Sequence, residues 1–167
     1  MRTINSVASE ELRWIRPTSE LPYELHSMDD EIVGQLQLDG AWRGDSDTAG
    51  QRWTFRREGL WHQRVTVRVP GNDFNLAVFH SSWKKGGTLE LEGGRKLRLC
   101  LPTLLKWQWT WRDFQGNPLV HLKEPLLGSD CRVTIEADAA ESPDVPLLVV
   151  LGWYLLVVWA REAERIK

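Results

Sequence analysis

Between about Glu11 and Glu136 the chain alternates apolar and polar residues in short runs separated by Gly, Asn, Asp and Pro. A period of two predicts an antiparallel all-β domain with one face of each strand buried and the other wet. The clearest run is Trp107-Gln108-Trp109-Thr110-Trp111-Arg112, in which three indoles share a face opposite Gln, Thr and Arg. Arg52–Arg56, Arg64–Val69, Thr88–Glu92 and Leu97–Leu101 repeat the pattern, with weaker runs at Leu12–Arg16, Pro22–His26, Ile32–Leu38, Phe74–Phe79, Pro118–Leu122 and Asp130–Glu136. That makes about eleven strands, too many for one open sheet, so a closed barrel or a two-sheet sandwich is expected. Glu92-Gly93-Gly94-Arg95 reads as a tight hairpin with positive φ at its glycines, and Pro70–Asp73 and Phe114–Pro118 as further turns.

The pattern changes at the C-terminus. Val145 to Ala160 carries no charge, and Arg161-Glu162-Ala163-Glu164-Arg165 follows it. Ser142 or Asp144 can cap a helix there, Pro146 suits its first turn, and Arg161, Arg165 and Lys167 complement the negative end of its dipole. Gly152 is the local misfit, costing about 1 kcal/mol against Ala unless close packing requires it. At ~1.5 Å per residue the apolar run spans about 24 Å, short of a ~30 Å hydrocarbon layer. A barrel of about twelve strands is too wide for its own side chains to fill and needs a plug, and this segment is apolar on every side. The expected fold is therefore mainly β: one domain over 1–167, a closed antiparallel barrel of about twelve strands around a helix over about 145–164.

These features resemble the tubby-like superfamily, with its phospholipid scramblase and LURP-one-related branches. The residues that carry the likeness are Trp83…Gly86-Gly87-Thr88-Leu89-Glu90-Leu91…Gly94, then Trp109-Thr110-Trp111…Asp113…Gly116, then Leu147 to Leu156 with Gly152-Trp153-Tyr154 inside it. The resemblance implies a roughly twelve-stranded barrel closed around a hydrophobic C-terminal helix, and it is greatest to the small bacterial members, a group without an established activity. The acidic calcium loop, acylated cysteine cluster and proline-rich N-terminal segment of better-known branches have no counterpart here. No functional residue is carried over.

Composition narrows the function classes. The 167 residues include 21 Lys+Arg and 23 Asp+Glu, a net charge of −2, without the basic excess of a general nucleic-acid binder. Cys100 shares a strand face with Lys96 and Arg98, and Cys131 shares one with Val133 and Ile135, so no bridge between them is expected and free thiols suit a reducing cytoplasm. Met1–Trp14 has no signal-peptide core, so secretion by that route is not expected. The four histidines, His26, His62, His80 and His121, are scattered, and no metal or cofactor is expected. His80-Ser81-Ser82 reads as a polar turn, and Asp29-Asp30-Glu31 and Asp45/Asp47 as loop carboxylates; nothing marks the chain as an enzyme.

Two features point to binding. Arg52 and Arg56 share one strand's polar face, and Arg64 and Arg68 share the next, so a hairpin would gather four guanidiniums on the barrel exterior. Arg43, Arg57, Lys84, Lys85, Lys96 and Arg98 lie nearby in sequence, balanced by Glu58, Glu90 and Glu92. Such a patch suits the headgroups of an anionic membrane surface or an acidic protein partner. The ten tryptophans raise a carbohydrate-binding alternative; alternation sends Trp107, Trp109 and Trp111 to the core and leaves Trp42 and Trp61 as loop candidates for exposure. The leading expectation is a non-enzymatic, cytoplasmic binding domain, peripheral at the membrane. A tail-anchored protein using 145–160 is the other alternative.

Overall fold

A computed structural model of the chain describes residues 1–40, 42–59, 63–82, 86–101, 107–124 and 130–165. Twelve strands run in chain order: β1 (Leu12–Ile15), β2 (Tyr23–His26), β3 (Ile32–Leu38), β4 (Arg43–Thr48), β5 (Gln51–Glu58), β6 (Arg64–Arg68), β7 (Ala77–Ser81), β8 (Gly86–Leu91), β9 (Lys96–Cys100), β10 (Gln108–Arg112), β11 (Pro118–Lys123) and β12 (Cys131–Ile135). Each pairs antiparallel with its sequence neighbours, and β1 pairs with β12 to close the barrel, with Leu12 opposite Val133 and Trp14 opposite Cys131. Closure leaves no strand edge unpaired, which removes the usual route to edge-to-edge aggregation. The inward rows hold Trp14, Leu25, Leu36, Phe55, Val67, Phe79, Leu89, Leu99, Trp111, Leu122 and Val133, all buried.

Helix α1 (Val145–Arg165) fills the barrel. Its successive residues are about 100° apart, so Gly152, Trp153 and Tyr154 meet three different walls. Trp153 stacks on Trp14 of β1, with ring centroids 6.3 Å apart, and meets Tyr23 of β2 edge-on. Tyr154 packs against Phe55 of β5, and its hydroxyl donates to the carbonyl of Trp42. About two turns on from Gly152 and on the same face, Trp159 lies against Trp109 and Phe79.

Gly152 is the misfit that packing explains. A Cβ there would sit 2.9 Å from both Trp111 Nε1 and Leu122 Cδ1. Without it, the Trp111 indole reaches the helix backbone and donates a 2.8 Å hydrogen bond to the Leu148 carbonyl. Gly44 plays the same part for β4, since a Cβ there would lie 2.8 Å from the Tyr154 ring.

The entry of the helix is closed from outside. Ile4, Val7 and Ala8 around the 3-10 turn Asn5–Val7 are buried, and Asn5 Nδ2 donates to the carbonyls of Ala140 and Ser142, both at 2.9 Å. Asp144 accepts the first helical hydrogen bond on its carbonyl, from Leu148 N–H. Its carboxylate takes a two-pronged ion pair from Arg95 at 2.7 and 3.1 Å while sitting at the positive end of the helix.

The barrel and its internal helix agree with the sequence expectation, and four local expectations are corrected. Arg43–Thr48 is a strand, so Asp45 and Asp47 lie on β4 and not in a loop. Phe74 precedes β7 and is 59% exposed, whereas Ser81 belongs to that strand. Trp107 is 54% exposed: it precedes β10 at the end of the wall, although its carbonyl still accepts a 2.9 Å hydrogen bond from Glu124 N–H, whereas Trp109 and Trp111 lie inside. Trp42 is half-buried against the core. Gly93 and Gly94 take φ of 80° and 78°, as the hairpin reading requires. Both cysteines are free; burial pushes the Cys131 thiol pKa upward. Trp61, His62, Trp83, Lys84 and Lys85 lie outside the described residues.

Two substitutions test this packing. Leu151→Asp or Leu155→Asp would bury an unpaired carboxylate, costing several kcal/mol against a total stability of about 5–15 kcal/mol. Neither variant should yield a soluble, monodisperse barrel by size-exclusion chromatography and circular dichroism, and a folded one would refute the internal helix. Gly152→Ala gains about 1 kcal/mol of helix propensity but overpacks a hydrogen-bonded indole at about 1–3 kcal/mol, so a net loss near 1 kcal/mol and a lower Tm are expected in thermal denaturation.

Candidate functional site

The β4–β5–β6 register decides which arginines meet. Arg43 lies opposite Arg56 and Asp47 opposite Arg52 across β4 and β5; Thr54 lies opposite Asp45 on one side and Arg68 on the other. Because Trp53 and Phe55 face the core, Arg52, Thr54 and Arg56 point outward in the gap between them. The outward side chains and the turn after β6 enclose a cleft of about 540 Å³ on the barrel exterior. Its lining holds the guanidiniums of Arg43, Arg52, Arg56 and Arg68 against the carboxylates of Asp45 and Asp73.

The cations in this cleft differ in how they are engaged. Arg43 Nε is 3.5 Å from Asp45 Oδ2 and buried without a hydrogen-bond partner. Asp45 is also held by the Thr54 hydroxyl, which donates to it at 3.1 Å. Arg68 Nε donates to Asn75 Oδ1 at 2.9 Å, which fixes that guanidinium beside the turn. Arg52 and Arg56 are exposed, and among the described residues neither guanidinium forms an ion pair or hydrogen bond. Two engaged and two unengaged guanidiniums on one concave surface can hold an anion through charge-assisted, bidentate hydrogen bonds.

Three of the four arginines singled out from the sequence, Arg52, Arg56 and Arg68, therefore converge. Arg64 does not line the cleft: it sits at the far end of β6, opposite Glu58, and pairs with that carboxylate at 3.0 Å. Arg43, near the patch in sequence, joins the cleft because β4 sets it opposite Arg56. Arg57, on the alternate face of β5, instead meets Glu162 of α1 and lies 5.8 Å from the Trp42 ring, and burial lowers its pKa.

Two histidines, His26 and His121, make polar contacts that strand alternation alone does not reveal. His26 Nε2 is 3.1 Å from Glu24 Oε1, two residues back on the same strand. On β10–β12, His121 Nε2 is 2.6 Å from Glu136 Oε1 while its Nδ1 is 2.9 Å from both the Thr110 hydroxyl and Gln108 Nε2. The order hydroxyl, imidazole, carboxylate matches that of a nucleophile, base and orienting acid. Thr110 is only 1% exposed, so no substrate reaches its oxygen and the chain of bonds ties β10 and β11 to the segment just after β12. Among the described residues no group of three or more His, Cys, Asp and Glu is arranged to hold a metal ion.

No family model, no curated protein and no solved structure matches this chain.

The cleft's charge balance generates a prediction. Asp45→Asn keeps an acceptor for Thr54 and removes one of two opposing charges. Affinity for inorganic pyrophosphate, followed by NMR shifts of the β4–β6 amides, should rise about fivefold, consistent with about 1 kcal/mol from one nearby charge at a partly screened surface.

Proposed function

We propose that this protein is a non-enzymatic binding domain that docks peripherally on anionic membrane surfaces through the cleft of Arg43, Arg52, Arg56 and Arg68. The observation that carries the reading is the convergence of four guanidiniums on one exterior cleft, two of them without a partner among the described residues. What favours a membrane over a soluble anion is the apolar rim: Val69, in the lining, is 38% exposed and Phe74, just past it, 59%. Apolar tips beside basic residues suit the boundary between headgroups and acyl chains. The tubby-like assignment is proposed on the same terms, supported by the layout of a twelve-stranded barrel around a C-terminal helix. So is a place at the cytoplasmic face of a membrane.

In this reading α1 stays inside the barrel. It is long and apolar enough to cross a membrane, yet 72% of its most apolar window is already buried by protein. Leaving for lipid would forfeit that packing and the Trp111–Leu148 hydrogen bond while emptying the barrel.

The test is co-sedimentation of detergent-free protein with neutral and anionic vesicles at low and at physiological salt. Binding is expected only to anionic vesicles and should weaken with salt. At about 1 kcal/mol per basic residue, Arg52→Gln with Arg56→Gln should lower affinity by about thirtyfold. Arg64→Gln, outside the cleft, should change it less than about fivefold. Absence of binding at low salt, or equal loss from both variants, would overturn the proposal; pyrophosphate binding without vesicle binding would replace the membrane by a soluble anion.

A further inference from the structure

Arg95, in the turn between β8 and β9, pairs with Asp144 at the start of α1, so the turns β2–β3, β4–β5, β6–β7, β8–β9 and β10–β11 ring the end of the barrel at which the helix enters. Alternate turns of that ring each expose a large apolar side chain over more than half of its surface: Met28 after β2, Phe74 after β6 and Phe114 after β10. Four strand spacings of about 4.8 Å separate the Phe74 and Phe114 turns, which is about 19 Å along the wall. The basic cleft runs down to the first of these two, since its lining takes in Val69 to Asp73.

Neither phenyl ring takes part in the hydrogen bonding that shapes its turn. Asp113 Oδ1 accepts from the Gln115 and Asn117 N–H groups at 3.0 and 2.9 Å, and its Oδ2 from Asn117 Nδ2 at 3.0 Å. Gly116 supplies the positive φ, 89°, that this turn needs. The turn after β6 is closed by Asn72 N–H on the Val69 carbonyl at 3.0 Å, ahead of Phe74. Behind Phe114, Arg98 and Arg112 lie directly opposite each other on the outer face of β9 and β10. Arg98 stands 5.1 Å from the centre of the Phe114 ring, and Arg112 Nη1 donates to the Gly116 carbonyl at 3.0 Å. Among the described residues neither guanidinium pairs with a carboxylate. Like charges across a ladder oppose its pairing, so an anion set between them would be favourable.

Aromatic tips on closed turns, with guanidiniums behind them, suit the boundary between acyl chains and charged headgroups, and a preset turn lowers the ordering cost of entry. Around Phe114 the bases Arg95, Lys96, Arg98 and Arg112 balance the acids Glu90, Glu92, Asp113 and Asp144, so the gain from inserting this tip is apolar. Charge sets the Met28 turn apart. Arg13 meets Asp30 at 2.9 Å, and Arg2 meets Glu31 at 2.6 Å and Asp29 at 4.0 Å, which leaves two arginines against three carboxylates. That turn would meet anionic headgroups with a net negative charge. We propose that the barrel docks on an anionic bilayer end-on and tilted: Phe74 and Phe114 enter as two aromatic anchors, Arg98 and Arg112 meet headgroups beside the second, and the Met28 turn is held off. The proposal rests on the membrane reading of the basic cleft and adds to it a second contact and an orientation.

Co-sedimentation of the full chain with mixed phosphatidylserine and phosphatidylcholine vesicles reads the anchors, with Tm as the check that each variant keeps its fold. Phe74→Ser and Phe114→Ser should each weaken binding about tenfold, and by the same factor at low and physiological salt, because apolar insertion is not screened. Phe114→Leu should bind within about twofold of the parent, as should Met28→Ser and, at the opposite end of the barrel, Trp107→Ser. A nitroxide on Gln115→Cys, in a Cys100→Ser background where Cys131 is buried, should gain access to oxygen and lose access to a nickel chelate when vesicles are added. One on Leu21→Cys, in the turn after β1 at the opposite end, should not. Parent-like binding by Phe114→Ser with an unshielded label beside it, or an equal loss from Trp107→Ser, would overturn this docking mode and leave the membrane reading in place. Failure of the parent protein to bind these vesicles at low salt would overturn both.

Discussion

The structure depends on one mutual requirement: a helix apolar on every side needs to be surrounded, and a twelve-stranded barrel needs to be filled. The requirement is met in detail at Gly152, where the missing Cβ lets Trp111 approach the helix and hydrogen-bond the Leu148 carbonyl. That bond fixes the helix along the barrel axis and around it, because an indole N–H has one donor direction. Trp153 against β1 and β2, and Tyr154 against β4 and β5, then follow from helical geometry alone. Fully burying a large apolar side chain contributes roughly 1.5–3 kcal/mol, and α1 buries such residues on all its faces, so most of the core energy lies at this one contact surface.

The same contact explains what was legible in the sequence. Strands with large inward residues announce themselves by alternation, as Trp53/Phe55 and Leu97/Leu99 do. β4 does not, because its inward positions are Gly44, Ser46 and Thr48. They are small because the space is already taken: Tyr154 lies close enough to Gly44 to exclude a Cβ. The helix residue and the strand composition are two sides of one packing choice, and single-sequence periodicity sees only the strand side. Trp107 failed for the opposite reason. Its spacing continues the alternation of Trp109 and Trp111, and its carbonyl still accepts a hydrogen bond from Glu124 N–H, but it stands at the end of the wall, and periodicity carries no information about where a barrel wall ends.

The candidate cleft was legible to the extent that register could be guessed. Placing Arg52, Arg56 and Arg68 together needs only the β5–β6 hairpin, which the sequence supports. Excluding Arg64 needs the register that sets it opposite Glu58 at the far end of β6, and including Arg43 needs β4, and neither is visible without the ladder. The consequence is chemical. Without Arg43 and Asp45 the patch would be an open exterior surface; with them it is concave, with one carboxylate held in place by Thr54.

The basic cleft and the far end of the barrel, where α1 emerges, differ in how far they are tied to the fold, and that difference follows from which face of the sheet supplies them. The basic cleft is built from outward side chains of β4–β6, so its arginines can change without touching the packing around α1. The far end shares Trp109 and Trp159 with the core, and Glu162 there is anchored by Arg57 across the helix–barrel contact. Any shift of α1 along its axis would move Trp159 and Glu162 relative to Trp107 and would reshape that end while leaving the cleft's ladder intact. The register of the helix is set by Trp111 and Leu148, so the geometry at the far end is fixed by a hydrogen bond about three to four helical turns away.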